Sequence, residues 1–163
     1  FEYRSFFAKK NVIHIKKNIE EQVTDNPTIK QENSISINRI LHENGNNNFS
    51  MKIDIEGNEY RIIDDLVENQ EGLNFLVIEF HNVDLMESHI KNFIKNLNLD
   101  LVHIHVNNYG GTNKRGFAKV IEFTFSNSKY NVQRTNNDFK FPDRSIDQPN
   151  NQNFEDIKVN FTD

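Results

Sequence analysis

The chain has 163 residues, of which 36% are hydrophobic and 26% charged, with a net charge of −5 and no cysteine. That is enough for one domain with a real core, and it excludes disulfides, cysteine-based zinc sites and thiol nucleophiles. The acidic balance offers no basic stripe to neutralise phosphates, so nucleic acid is not an expected partner.

Lys9-Lys10 and Lys16-Lys17 read as a solvated face rather than a binding patch. No apolar run approaches the roughly 20 residues needed to span a bilayer. No signal-peptide pattern opens the chain. The expectation is a cytoplasmic, soluble protein that does not enter a membrane.

The elements follow in chain order. Asn11 to Lys17 (NVIHIKK) predicts a strand, because Val12, Ile13 and Ile15 are β-branched. Glu20 to Asn33 is polar, carries Pro27 and predicts a loop. Ser34 to Glu43 predicts a short helix, with Ile37, Ile40 and Leu41 at helical spacing. Asn44 to Asn48 breaks it. Phe49 to Ile55 predicts a strand, and Asn58 to Asn69 a helix with Ile62, Ile63, Leu66 and Val67 on one stripe.

Leu73 to Phe80 is a nearly continuous apolar run, which predicts a central strand buried on both faces. Asp84 to Leu97 is the clearest helix. Asp84 and Glu87 are spaced for a capping box, and Leu85, Ile90, Phe93, Ile94 and Leu97 line one side. Leu99 to Val106 alternates, as a strand with one wetter face does. Asn107 to Lys119 is a loop. Val120 to Ser126 predicts a strand antiparallel to the one before it. Phe75, Phe80, Phe93, Phe123 and Phe125 are read as core. From Asn127 onward the chain is polar, with Pro142 and Pro149, and predicts extended structure. Ile157, Val159 and Phe161 would form at most a short edge strand.

The chemistry-bearing residues sit at strand ends. Asp54 and Glu56 alternate onto one side of a strand tip, just before Gly57. Open α/β sheets place ligands at such tips. These acids can orient or deprotonate a hydroxyl, or ligate a hard divalent cation. They can equally cap the following helix. Glu79 and His81 end the central strand and can reach one crevice, or merely close the strand as a hydrogen-bonded pair. His103, His105 and Asn107 share one face of their strand. That face is either a partial metal set or the wetter side of an edge strand, and no metal site is assigned to it. Asn107, Asn108 and Tyr109, followed by Gly110 and Gly111, can hydrogen-bond a polyol or simply form a turn. Glu122, mid-strand, is read as structural.

Lys52, Ile53, Asp54, Ile55, Glu56, Gly57, Asn58 and Glu59 stand in a pattern that resembles a family hallmark. The family is the FkbM-type S-adenosylmethionine-dependent methyltransferases. Their hallmark reads roughly as Lys, apolar, Asp, apolar, Glu, Gly, any residue, Glu. The likeness runs from Val12 to Phe125, through VIEFHNVD (Val77 to Asp84) and HIHVNNYGG (His103 to Gly111).

The resemblance implies an α/β fold: a Rossmann-like class I methyltransferase sheet, mostly parallel, ending in an antiparallel strand pair. It implies S-adenosylmethionine as donor and a saccharide or similar polar hydroxyl as acceptor. Asp54, Glu56, Glu79 and His81 are then the candidate catalytic residues. His103, His105, Asn107, Asn108 and Tyr109 are the candidate acceptor-binding residues. A divalent metal requirement stays open. Residues 1–126 would form the domain, and 127–163 a polar tail packing on it.

One departure matters. The six glycines, Gly45, Gly57, Gly72, Gly110, Gly111 and Gly116, form no Gly-x-Gly after a strand. The expectation is therefore the C-terminal part of such a domain, with its first strand corresponding to the family's third. The cofactor-binding residues stay unassigned. The Phe49 strand would then carry an unpaired apolar edge, which predicts a dimer or higher oligomer.

Overall fold

The computed structural model describes residues 15–19, 34–45, 47–130 and 141–159. Two short strands come first. β1 (Asn18–Ile19) and β2 (Ser34–Ile35) pair in parallel. Residues 15–17 carry no regular structure, and the rest of the Asn11 to Lys17 strand prediction lies outside the described residues. So does the loop predicted over residues 20–33.

Helix α1 (Ile37–Asn44) starts where Ser36 accepts the Arg39 N–H through its side chain, 3.2 Å away. It stops at Gly45, whose φ of +88 suits a residue without Cβ. Ile37 and Leu41 are its buried face.

The main sheet has four strands: β3 (Phe49–Ile53), β4 (Leu73–His81), β5 (Asp100–Val106) and β6 (Val120–Ser126). Their order is β3-β4-β6-β5. β3 and β4 are parallel, and β6 is antiparallel to both of its neighbours. The fold is thus α/β, with a mixed sheet. β6 folds back and inserts between β4 and β5, which makes two of the three ladders antiparallel.

Period-two alternation sorts the side chains onto two faces. Met51, Ile53, Leu76, Ile78, Phe80, Ile104, Val106, Ile121, Phe123 and Phe125 share the first, as the strand pairings require. Leu76, Ile78, Phe80 and Phe125 have no exposure. Helices α2 (Ile63–Glu68) and α3 (Val83–Asn96) supply Ile63, Leu66, Ile90 and Phe93 to the same core. Phe80 meets Phe93 and Phe123 edge-on, at 5.8 and 5.7 Å between centroids. Each such buried side chain contributes about 1.5–3 kcal/mol.

The second face is polar. Lys52, Glu79, Glu122, Thr124, His103 and His105 lie on it. Phe75 is there too, 40% exposed, and stacks on Tyr130 at 5.1 Å. This corrects two expectations: β4 is fully buried on one face only, and Phe75 is not a core residue. Its apolar run hides an alternation in which Phe75 and Val77 oppose Leu76 and Ile78.

Two helix predictions are also corrected. The Asn58 to Asn69 helix is divided into a 3₁₀ turn (Glu59–Arg61) and α2, with Ile62 at φ −118 and ψ −1 between them. The Glu59 side chain folds back onto the preceding turn, which sets the tighter start. The Asp84 and Glu87 capping box does not form. Asn82 begins α3 in the left-handed region with no side-chain cap. Asp84 instead accepts from Asn113 Nδ2 at 3.0 Å, and Glu87 pairs with Lys91. Leu85 is 77% exposed, because five residues before Ile90 it lies off the buried stripe of the helix.

Residues 141–159 lie against β5, through side chains described below, and Phe141 and Val159 form one antiparallel bridge. Phe161 lies outside the described residues. No helix among the described residues is long and apolar enough to cross a membrane.

Candidate functional site at the tips of β3 and β4

Because β3 and β4 are parallel, their C-terminal ends meet at one edge of the sheet. Asp54, Ile55, Glu56 and Gly57 leave β3 there, while Glu79 and His81 end β4. Glu56 takes a positive φ of 54 and Gly57 one of 99, so the chain turns sharply back toward β4. A Cβ on Gly57 would stand 4.0 Å from the His81 Cβ.

The next residues clasp His81. Glu59 Oε1 lies 3.1 Å from the His81 Nδ1 atom, and it also accepts the N–H groups of Ile55 (3.2 Å) and Gly57 (3.0 Å). The Tyr60 hydroxyl donates to the His81 carbonyl at 2.6 Å, and its ring lies 5.4 Å from Phe80. Consecutive residues of one 3₁₀ turn therefore fix both the ring and the backbone of His81. Glu59 has no solvent exposure, and its Oε2 has no hydrogen-bond partner among the described residues. Burial, with the Glu59 and Asp84 charges, drives the Tyr60 hydroxyl well above the usual phenol range.

The other ring nitrogen faces acids. His81 Nε2 is 3.4 Å from Glu56 Oε2 and 3.7 Å from Glu79 Oε1. Asp54, Glu56 and His81 each offer one ligand atom within 4.8 Å of the others. Asp54 and Glu56 are exposed and His81 is partly buried. Glu79 is 8% exposed and accepts from Asn107 Nδ2 at 3.1 and 3.3 Å. Burial pushes the Glu79 carboxyl up. The Asn107 hydrogen bond opposes that rise, and the Asp54 charge adds to it.

Four of the sequence candidates, Asp54, Glu56, Glu79 and His81, thus come together, and Asn107 joins them from the end of β5. His103, His105 and Asn108 do not. His103 Nε2 contacts Asp147 at 2.8 Å, and His105 Nε2 contacts Asp156 at 3.2 Å. Asn108 accepts the Asn151 N–H at 2.7 Å and donates back to the Asn151 carbonyl at 3.0 Å. These three side chains hold residues 141–159 against β5. Tyr109 is 71% exposed and stands apart. Glu122 pairs with Lys52 across the second face.

Sequence reasoning did not single out Glu59 or Tyr60 as site residues. A signal for Glu59 existed, since it is the last acid of the pattern that begins at Lys52. Nothing in the local sequence marked Asp147 or Asp156.

No family model, no curated protein and no solved structure matches this chain.

Proposed function

We propose that this chain is the acceptor side of an FkbM-like, S-adenosylmethionine-dependent O-methyltransferase acting on a saccharide or similar polar hydroxyl. The observation that carries the reading is the convergence of Asp54, Glu56, Glu79 and His81 at adjacent parallel strand tips. A hydroxyl bound there meets carboxylates that can orient it, and Glu79, outside the Asp54, Glu56 and His81 trio, can accept its proton. The β5–β6 pair, with its antiparallel last strand, agrees with the end of a class I methyltransferase sheet. Three of the four strands run in one direction, which supports a Rossmann-like reading of the mixed sheet.

The turns described supply no glycine-rich cradle for the cofactor, whose binding residues stay unassigned. No Gly-x-Gly follows a strand. At Gly57, the glycine after β3, a Cβ would already be in van der Waals contact, 3.9 Å from Asn82 Nδ2. The reading therefore covers the acceptor side of the reaction.

A second reading is a non-catalytic domain that works by association or carbohydrate binding. The outer edge of β3 supports association, since β3 pairs only with β4 among the described residues. On this view the chain is a dimer or higher oligomer, and light scattering that gives a monomer at all working concentrations removes it. The His103, His105 and Asn108 contacts to residues 141–159 count against sugar binding on that face.

Amide NMR shifts recorded with a saccharide panel test the first reading. The expected result is perturbation at residues 54–57 and 79–82, lost in Asp54→Asn. Calorimetry with S-adenosylhomocysteine runs beside it. A folded chain that answers neither the sugars nor the nucleoside overturns the methyltransferase reading and leaves association as the second reading.

A further inference from the structure

The contact between Glu59 and His81 has a consequence for the opposite side of the ring. A carboxylate accepts and does not donate, so at 3.1 Å the proton belongs on Nδ1 of His81. A neutral ring then turns the Nε2 lone pair outward. That lone pair meets the oxygens of Glu56 and Glu79, at 3.4 and 3.7 Å. Lone pairs facing carboxylates repel unless a proton or a metal cation stands between them, and the exposed Asp54 carboxylate, within reach of the same point, gives a cation its third ligand.

The charge balance points the same way. Asp54, Glu56, Glu59 and Glu79 all converge on one imidazole, and the ammonium of Lys52 is engaged with Glu122. Glu59 is fully buried with one oxygen unpartnered among the described residues, a costly arrangement for an anion without compensation.

We propose that Asp54, Glu56 and His81 bind one divalent first-row cation, with Glu59 as the buried positioning residue behind His81. Two carboxylates and one imidazole form a mixed oxygen and nitrogen set, of the kind that suits Mn²⁺. A second carboxylate holding the far nitrogen of a ligating histidine is the usual support for such a site. Asp54 and Glu56 are exposed, which leaves coordination positions open to water or to an acceptor hydroxyl. The site stands on geometry and does not depend on the methyl-transfer reading.

The test is Mn²⁺ binding by the whole chain, with no cofactor or acceptor present. Electron paramagnetic resonance counts bound metal, and pulsed measurement reads nitrogen coupling from an imidazole ligand. One Mn²⁺ per chain is expected, with nitrogen coupling that vanishes in His81→Ala. The exposed pair Asp54→Asn and Glu56→Gln, which leaves the core intact, is expected to abolish binding. Glu59→Gln is expected to weaken it about 10–100-fold. Three results overturn the site: no Mn²⁺ bound by folded protein, binding that survives the Asp54 and Glu56 exchange, or bound metal without nitrogen coupling.

Discussion

The Nδ1 atom of His81 and the Oε1 atom of Glu59 stand 3.1 Å apart, joining a strand end to the turn that follows a different strand. The same oxygen ties down the amides of Ile55 and Gly57. Glu59→Ala removes all three contacts at once and leaves part-buried donors without their acceptor. It is expected to cost about 3 kcal/mol. Glu59→Gln keeps an acceptor in place and is expected to cost about 1 kcal/mol. Urea unfolding followed by circular dichroism checks both, and equal losses would refute the account.

Gly110 faces a tighter limit. A Cβ there would stand 2.5 Å from Val120 Cγ2 and 2.8 Å from Val120 Cβ. Gly110→Ala is expected to cost about 1–3 kcal/mol by overpacking the start of β6. Val120→Ala in the same chain removes Cγ2, the nearer of the two atoms, and leaves Cβ, so the relief is partial. The double variant is therefore expected to lose less than the two single variants together, and a thermodynamic cycle measures the difference.

The segment 141–159 is held by Asp147 on His103 and by Asp156 on His105. Asp147 also accepts the Asp143 N–H through its second oxygen, at 2.6 Å. Asp147→Ala with Asp156→Ala is expected to free this segment while the sheet stays folded. Hydrogen exchange should rise over residues 141–159 and stay unchanged in β4. Unchanged exchange over 141–159 would show that other contacts hold it.

Tyr60 provides an alkaline signature. Its folded pKa is raised, chiefly by burial. Below about pH 10 the phenol is neutral in both folded and unfolded chains, and above it the unfolded chain ionises first. Its contribution is therefore complete below that pH and falls as the pH rises further. Tyr60→Phe lacks this loss. The stability difference between wild type and variant is expected to shrink above about pH 10. A difference that stays constant would show that Tyr60 titrates as an ordinary tyrosine.

What the sequence made legible follows from range. Local signals located β3, β4, β5, β6 and α3 to within about two residues of their ends, the usual margin for such boundaries. Alternation put Asp54 and Glu56 on one side, and Glu79 with His81 on one side, and these four do meet. What stayed hidden depends on contacts distant in sequence. The insertion of β6 beside β4 decides which face of Phe75 is wet, and no window around Phe75 contains that fact. Asp147 lies 44 residues beyond His103, so the pairing that occupies His103 cannot be read from its strand. Glu59 carries a sequence signal only as the last acid of the pattern that begins at Lys52. Its burial comes from β4 passing over it with His81.

The placement of β6 between β4 and β5 has a bearing on how the chain assembles. As the polypeptide leaves the ribosome, β5 emerges before the strand that is its only neighbour in the described sheet. Its backbone must wait, unpaired along that edge, until Ser126 has been made. The sheet is thus completed from its middle, by its last strand. During that interval the unpaired edge of β5 is open to misassociation or to a chaperone.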